Sequence, residues 1–320
     1  MKTIAGGTHR RRLLFGVGLL GGTALAAVAL PRIVGTSWAA ISAVVAAVPP
    51  SALVALVGLW LAGLVAHTVT LTAALPGLSH RRALLLSLSG SAVANVLPLG
   101  GAAGVALNYR MTRRWGFSPV SFASYTVVTN LGDVLVKLAL PLILVPLLMV
   151  GLPLAPVVRH SLVIAAIALP LLAGATTLVL RSPRLVARLG RPATRAREAV
   201  VDVVRTGWPR LSAGLVAYSA LLFLLLVACL TLTGAHVTTP MIAVAFCVER
   251  IATLVGITPG GLGLVEVGLA GALALAPGAN PAGVAAGVLL YRALTFGLEI
   301  PVGGVLLAGW SWRNRKQVVA

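Results

Sequence analysis

Seven ionisable residues interrupt stretches of sequence otherwise fit for hydrocarbon: Asp133, Lys137, Glu249, Arg250, Glu266, Arg292 and Glu299. An ionised side chain at mid-membrane costs roughly 2.5–3.5 kcal/mol on insertion scales, so each needs a partner or a wet cavity. Such a set suits carboxylate–guanidinium pairing, proton exchange on a carboxylate, and recognition of a phosphate by arginine. Asp133 and Lys137 are four apart with the acid first, the favourable order for a pair on one helix face. Arg292 and Glu299 are seven apart, two turns, and share a face. Arg292 should find a carboxylate among Glu249, Glu266 and Glu299. Glu249 and Arg250 are adjacent, so their side chains diverge and each should pair elsewhere.

Signatures of catalysis are missing. The sequence holds no His-Glu-x-x-His, no paired aspartates and no Cys/His constellation for metal. His67 is the only histidine well inside an apolar run, and a lone histidine reads as a hydrogen-bonded structural residue. "GGLGLVE" and "GGAAG" do not follow strands, which removes a nucleotide-binding reading. The expectation is a protein that is not an enzyme and needs no metal or cofactor.

The elements that must position these charges follow from composition. Of 320 residues, 59% are hydrophobic and only 10% charged, with a mean hydropathy of +1.02. Soluble domains carry roughly a quarter charged residues. Continuous apolar runs near the ~20 residues that cross hydrocarbon predict an all-α polytopic membrane protein, and they exclude an alternating barrel pattern. The formal charge of +19 sits mostly in short loops between the runs, the positive-inside pattern, so nucleic acid is not the expected partner. Arg10-Arg11-Arg12 before the first run reads as a cytoplasmic anchor rather than a cleaved signal. Cys229 and Cys247 lie inside apolar runs and are not expected to form a disulfide.

About six full spans are predicted: Leu13–Leu30, Ser51–Leu75, Ser118–Val150, Val157–Leu180, Leu211–Thr233 and Ala282–Trp310. Trp38–Val48 is short and belongs along the far interface. Both termini fall in the cytoplasm of a cell-membrane protein with a single integral domain over 1–320. Residues 181–210 form a basic cytoplasmic loop. Within it Arg181, Arg184, Arg188, Arg191 and Arg195, at steps of three and four, mark one helix face, though Gly190 and Pro192 break any long helix. That face suits an anionic-lipid contact or a topogenic role.

Two further segments enter the apolar region and turn back. Ala83–Leu97 is too short to cross and lies between His80-Arg81-Arg82 and Arg110, Arg113 and Arg114. Its tip is "NVLPLGGAAG", with Asn95, Pro98, Gly100 and Gly101. Met241–Ile257 turns at "TPGGLG", with Pro259, Gly260, Gly261 and Gly263, and leaves as Leu262–Leu275. Non-helical backbone at membrane depth is tolerated only inside protein or beside a water-filled cavity. Two re-entrant hairpins from opposite sides predict an inverted repeat of halves 13–150 and 157–310.

"VERIATLVGITPGGLGLVEVGLAGAL" (Val248 to Leu273) resembles the signature of the lysylphosphatidylglycerol synthase transmembrane-region family of flippase-like membrane proteins. "NVLPLGGAAGVALNYRMTRRWGFS" (Asn95 to Ser118) is similar to that family's earlier motif, a Pro/Gly-rich turn leading to arginine. The resemblance covers essentially the whole chain. It implies a membrane region that moves phospholipid between leaflets. In bifunctional members a separate soluble domain attaches the amino acid, and no such domain is expected here. Where many members place an acidic residue after the first Gly pair, this chain has Ala102-Ala103-Gly104-Val105, so weight falls on the second hairpin.

Residues and resemblance together predict translocation of an anionic phospholipid or polyprenyl-linked lipid. The site residues expected to meet it are Asn95, Pro98, Gly100, Gly101, Arg110, Asp133, Lys137, Glu249, Arg250, Pro259, Gly260, Gly261, Gly263, Glu266, Arg292 and Glu299. Arg250 and Arg292 would meet its phosphate. The alternative is a non-transporting subunit that scaffolds a cell-envelope glycosyltransferase or lipid synthase.

Overall fold

The apolar runs become helices because hydrocarbon offers backbone N–H and C=O groups no partner outside their own segment. The computed structural model describes residues 5–97, 100–148, 156–187, 190–254 and 258–316. Pro98 and Leu99 of the first tip lie outside them. In chain order the helices are α1 (Ala5–Val34), α2 (Trp38–Ala46), α3 (Pro50–Ala74), α4 (His80–Val96), α5 (Gly100–Arg114), α6 (Pro119–Leu148) and α7 (Pro156–Arg181). There follow α8 (Pro183–Ala187), α9 (Arg191–Leu232), α10 (Thr239–Ala252), a 3₁₀ turn at Pro259–Gly261, and α11 (Leu264–Ala274). The last are α12 (Pro281–Arg292), a π turn at Ala293–Gly297, and α13 (Glu299–Lys316). Prolines open several of these helices, where a missing N–H loses nothing.

Among the described residues, five helical stretches are long and apolar enough to cross a membrane: Pro50–Ala74, Pro119–Leu144, Leu162–Arg181, Arg191–Leu232 and Pro281–Asn314. Leu20–Val34 and Trp38–Ala46 form a sixth only as a pair, bent by 91°. Ser37 caps α2 by accepting from the N–H of Ala40 at 3.2 Å, and Trp38 Nε1 donates back to Ala27 O at 2.8 Å. The protein is an all-α, multi-pass membrane protein.

The basic segment differs from the expected loop. Helix α9 begins at Arg191 and runs unbroken for 42 residues into the apolar span. Arg181 ends α7, Arg184 belongs to α8, and Arg191 and Arg195 open α9. Gly190, at φ 94°, separates α8 from α9, so no single helix carries the arginines as one stripe. Gly190 breaks the helix as its residue type predicts, whereas Pro192 sits in the first turn of α9, where proline is tolerated. Arg188 lies outside the described residues.

The core is built around α9. It packs along α3 and against α6 and α12, burying Leu225, Leu226, Cys229 and Leu230 with Phe246, Leu269 and Tyr291. Cys229 and Cys247 are buried free thiols. Helix α4 lies between α5 and α13. A Cβ at Gly303 of α13 would stand only 2.1 Å from the Leu88 carbonyl oxygen, so that crossing is backbone on backbone.

Candidate functional site

The second hairpin is held by its own charges. Its tip needs glycine: Gly260 has φ 59°, and a Cβ there would lie 2.0 Å from Phe296 Cε2. Gly263, at φ 87°, ends the turn and caps α11. Glu266 stands three residues into that helix and reaches back, one oxygen accepting from the N–H of Gly263 at 2.6 Å. That satisfies a helix N-terminal donor left without an intrahelical partner. The other oxygen accepts from Arg292 Nε at 2.6 Å. Arg292 Nη2 then donates to Gly260 O at 2.8 Å, and the guanidinium lies 5.2 Å from the Phe296 ring centroid. Both side chains are buried, Glu266 at 6% and Arg292 at 9% exposure. The carboxylate after the glycines therefore fastens the turn to α12.

Arg292 does not use Glu299, although seven residues separate them. The π turn between them carries a Leu298 N–H to Ala293 O bond at 2.7 Å, and a wider turn shifts the angular register of everything after it.

Glu249 and Arg250 correct a second expectation. They pair with each other: Arg250 Nε and Nη2 both donate to the Glu249 carboxylate. Adjacent side chains leave a helix about 100° apart. Both are long, though, and Glu249 is wholly buried, so the guanidinium folds back over the nearest anion rather than leave it unmatched. Arg250 also donates to Tyr291 Oη at 3.2 Å and lies 5.0 Å from the Phe246 ring centroid. Both arginines of this region thus have their charge matched by a neighbouring carboxylate.

The open polar space lies elsewhere, at the first hairpin. A cavity of about 320 Å³ opens among α3, α4, α5, α6 and α9. Helices α4 and α5 run antiparallel, with Arg82 at the start of one stacked 5.1 Å from the Trp115 ring just beyond the other. A Cβ at Gly104 would sit 2.7 Å from Gly90 O, so glycine lets the two backbones close. From α4 the cavity receives Ser87 and Ser91, and from α5 Gly101 and Asn108. Asn108 Oδ1 is buried with no hydrogen-bond partner among the described residues. From α3 and α9 come His67 and Tyr218, stacked at 4.5 Å with rings 17° apart.

Helix α6 supplies the most telling wall. Thr126, Thr129, Asn130 and Asp133 all line the cavity, at steps of three, one and three that place them on one face. Asp133 pairs with Lys137 at 2.7 Å, as the four-residue spacing predicts, and its side chain is 46% exposed. The opposite face of α6 is apolar: Leu131, Leu135 and Val136 line a second hollow with α7 and α9.

Of the residues expected from the sequence, Glu266, Arg292, Gly260 and Gly263 meet in one cluster, and Glu249 with Arg250 joins it through Tyr291, the neighbour of Arg292. Pro259 opens the 3₁₀ turn, and the Gly261 N–H donates to Thr258 O at 3.0 Å. Asn95 touches the same tip, its Oδ1 only 3.0 Å from where a Gly260 Cβ would be. Gly100 packs against the Ala94 carbonyl. Gly101 and Asp133 line the cavity, Lys137 pairs with Asp133, and Arg110 is exposed on α5. Pro98 falls outside the described residues. Sequence reasoning missed Thr126, Thr129, Asn130, Asn108 and Tyr218. The polar stripe on α6 was there to be read, because its spacing continues through Asp133 to Lys137.

No curated protein matches this chain. Its residues 13–303 match the sequence profile of the family described as Lysylphosphatidylglycerol synthase TM region, and the chain belongs to that family.

Proposed function

We propose that the protein passes the headgroup of an anionic phospholipid or polyprenyl-linked lipid between the leaflets of the cell membrane, leaving the lipid chemically unchanged. The cavity among α3, α4, α5, α6 and α9 is the passage, and the observation that carries this reading is α6. One face of that helix offers hydroxyls, an amide and a carboxylate to the cavity, while the other is aliphatic. A headgroup crosses hydrocarbon only if its lost water is replaced by fixed polar groups, and its tails need an apolar path alongside. The short helices α4, α5, α10 and α11 act as re-entrant hairpins from opposite sides, with both termini cytoplasmic. The Glu266–Arg292 pair keeps the second hairpin's broken backbone in place while the cavity beside the first does the carrying. Membership of a family of membrane regions from lipid synthases supports the same substrate class.

The test is lipid movement in liposomes. Purified protein should speed the loss of headgroup-labelled phospholipid fluorescence to an outside quencher. Asn130→Leu and Thr129→Val should slow it while the thermal melt stays in place. If folded protein moves no lipid faster than empty liposomes do, with or without a proton gradient, the reading is wrong.

A further inference from the structure

We infer that the part of the headgroup received by the cavity is a neutral polyol, a sugar or a cyclitol, and that the lipid's phosphate stays outside it. This rests on the translocation reading for the identity of the site, and adds the chemistry of what enters.

The cavity's lining decides it. Among the described residues, none of those lining it is lysine or arginine. A phosphate is held by guanidinium, ammonium or converging N–H donors, and here it would meet the Asp133 carboxylate instead. The two arginines nearest in character, Arg250 and Arg292, are occupied by Glu249 and Glu266 on other elements. An ammonium headgroup is disfavoured for the converse reason. Asp133 is the one carboxylate in the lining among the described residues, and it already holds Lys137 at 2.7 Å. An incoming cation would have to displace that ammonium and leave it unmatched.

What the lining does offer is a set of hydroxyls and amides. Thr126 and Thr129 donate their hydroxyl protons to Phe122 O and Tyr125 O at 2.9 and 2.8 Å, and Asn130 Nδ2 donates to Thr126 O at 2.7 Å, so both hydroxyl oxygens and Asn130 Oδ1 are left as acceptors. With Ser91 and Asn108 they make a lining rich in acceptors for incoming O–H groups. Asn108 Oδ1, buried and without a partner among the described residues, is an acceptor awaiting an O–H or N–H donor. Phe122 and Tyr125 add ring surface on the same side, and a sugar ring has an apolar C–H face to lay on it. A volume of about 320 Å³ falls at the lower end of the range of small-molecule sites.

The experiment is lipid competition in nanodiscs of neutral phosphatidylcholine. Equal small amounts of phosphatidylinositol, a hexosyl polyprenyl phosphate, phosphatidic acid and phosphatidylethanolamine are added, and the lipids retained on released protein are read by native mass spectrometry. Phosphatidylinositol and the hexosyl lipid should be enriched over the other two by about tenfold, the yield of one or two net hydrogen bonds. Asn130→Leu and Asn108→Leu should abolish the preference, whereas Thr129→Ser, which keeps the hydroxyl, should preserve it. Phosphatidic acid or phosphatidylethanolamine retained as well as the polyol lipids would overturn the inference, as would a preference untouched by both asparagine variants. The two readings fail separately. A polyol preference without lipid movement sinks translocation alone. Movement of all four lipids at one rate, with no preference in binding, sinks the polyol assignment alone.

Discussion

Arg292 Nε donates to Glu266 Oε1 at 2.6 Å across 26 residues of chain, while the other oxygen of the same carboxylate accepts from the Gly263 N–H. One carboxylate thus joins a helix start, a strained turn and a neighbouring helix. Losing either partner strands the other as a buried charge. Arg292→Ala should destabilise the protein by about 3–5 kcal/mol, the usual consequence of breaking a buried pair. Adding Glu266→Ala should return part of that loss, leaving a coupling of about 1–3 kcal/mol between the sites. Glu299→Ala should be additive with Arg292→Ala. Unfolding in mixed micelles gives all three numbers, and coupling to Glu299 in place of Glu266 would contradict the geometry.

The turn at Gly260 gives a second prediction. Left-handed backbone costs a non-glycine residue about 1–2 kcal/mol, and a methyl there also meets the Phe296 ring. Gly260→Ala should therefore lower the melting temperature clearly. Combining it with Phe296→Leu should recover the steric share. Gly268→Ala, on α11 with open space around it, should leave stability unchanged or raise it slightly.

Water in the cavity is a third. Asn130→Cys should react with a small hydrophilic thiol reagent in native protein. Cys229 and Cys247, buried at 0% and 1% exposure, should react only after unfolding. Equal labelling of all three in native protein, or of none, would mean that the α6 face does not see water.

The first hairpin predicts shared sidedness. Arg82 stacks on Trp115 and Arg114 lies 5.4 Å from the Trp310 ring centroid, so the α4 start, the α5 end and the chain's last helix gather at one end of the bundle. Cysteines at Arg81, Arg113 and Arg313 should all be labelled from the same side of sealed vesicles. A split among the three would break the hairpin assignment.

Much of this was legible in the sequence, and the failures have definite causes. Apolar run length predicts five of the six expected crossings, because the thickness of hydrocarbon leaves little latitude; the sixth, Leu13–Leu30, qualifies only together with Trp38–Ala46 across a 91° bend. The glycines of "TPGGLG" predict the turn, because only residues without a Cβ fit φ 59° and 87° beside Phe296 and Gly22. Arg250 and Glu249 misled because helical periodicity describes where a side chain leaves the backbone and not where a long one ends. Arg292 pairs with Glu266, one of the three carboxylates expected of it; which of the three could not be read from spacing, because a π turn at Ala293–Gly297 changes the period before Glu299. The α6 stripe was overlooked for another reason. Thr126, Thr129 and Asn130 carry no charge, and hydropathy averages them away within a span that passes as apolar.

Gly22 of α1 and Gly263 press backbone to backbone, leaving no room for a Cβ on either side. Their positions along the chain, 241 residues apart (263 − 22), give that contact a date. At the roughly 5–20 residues per second of translation, α1 is made on the order of 12–50 s before the glycine it must embrace. During that interval the first helix waits with its tightest seam open, and the last third of the chain arrives to close it. Residues near Gly22 should therefore be the place where a chaperone or insertase finds this protein unfinished.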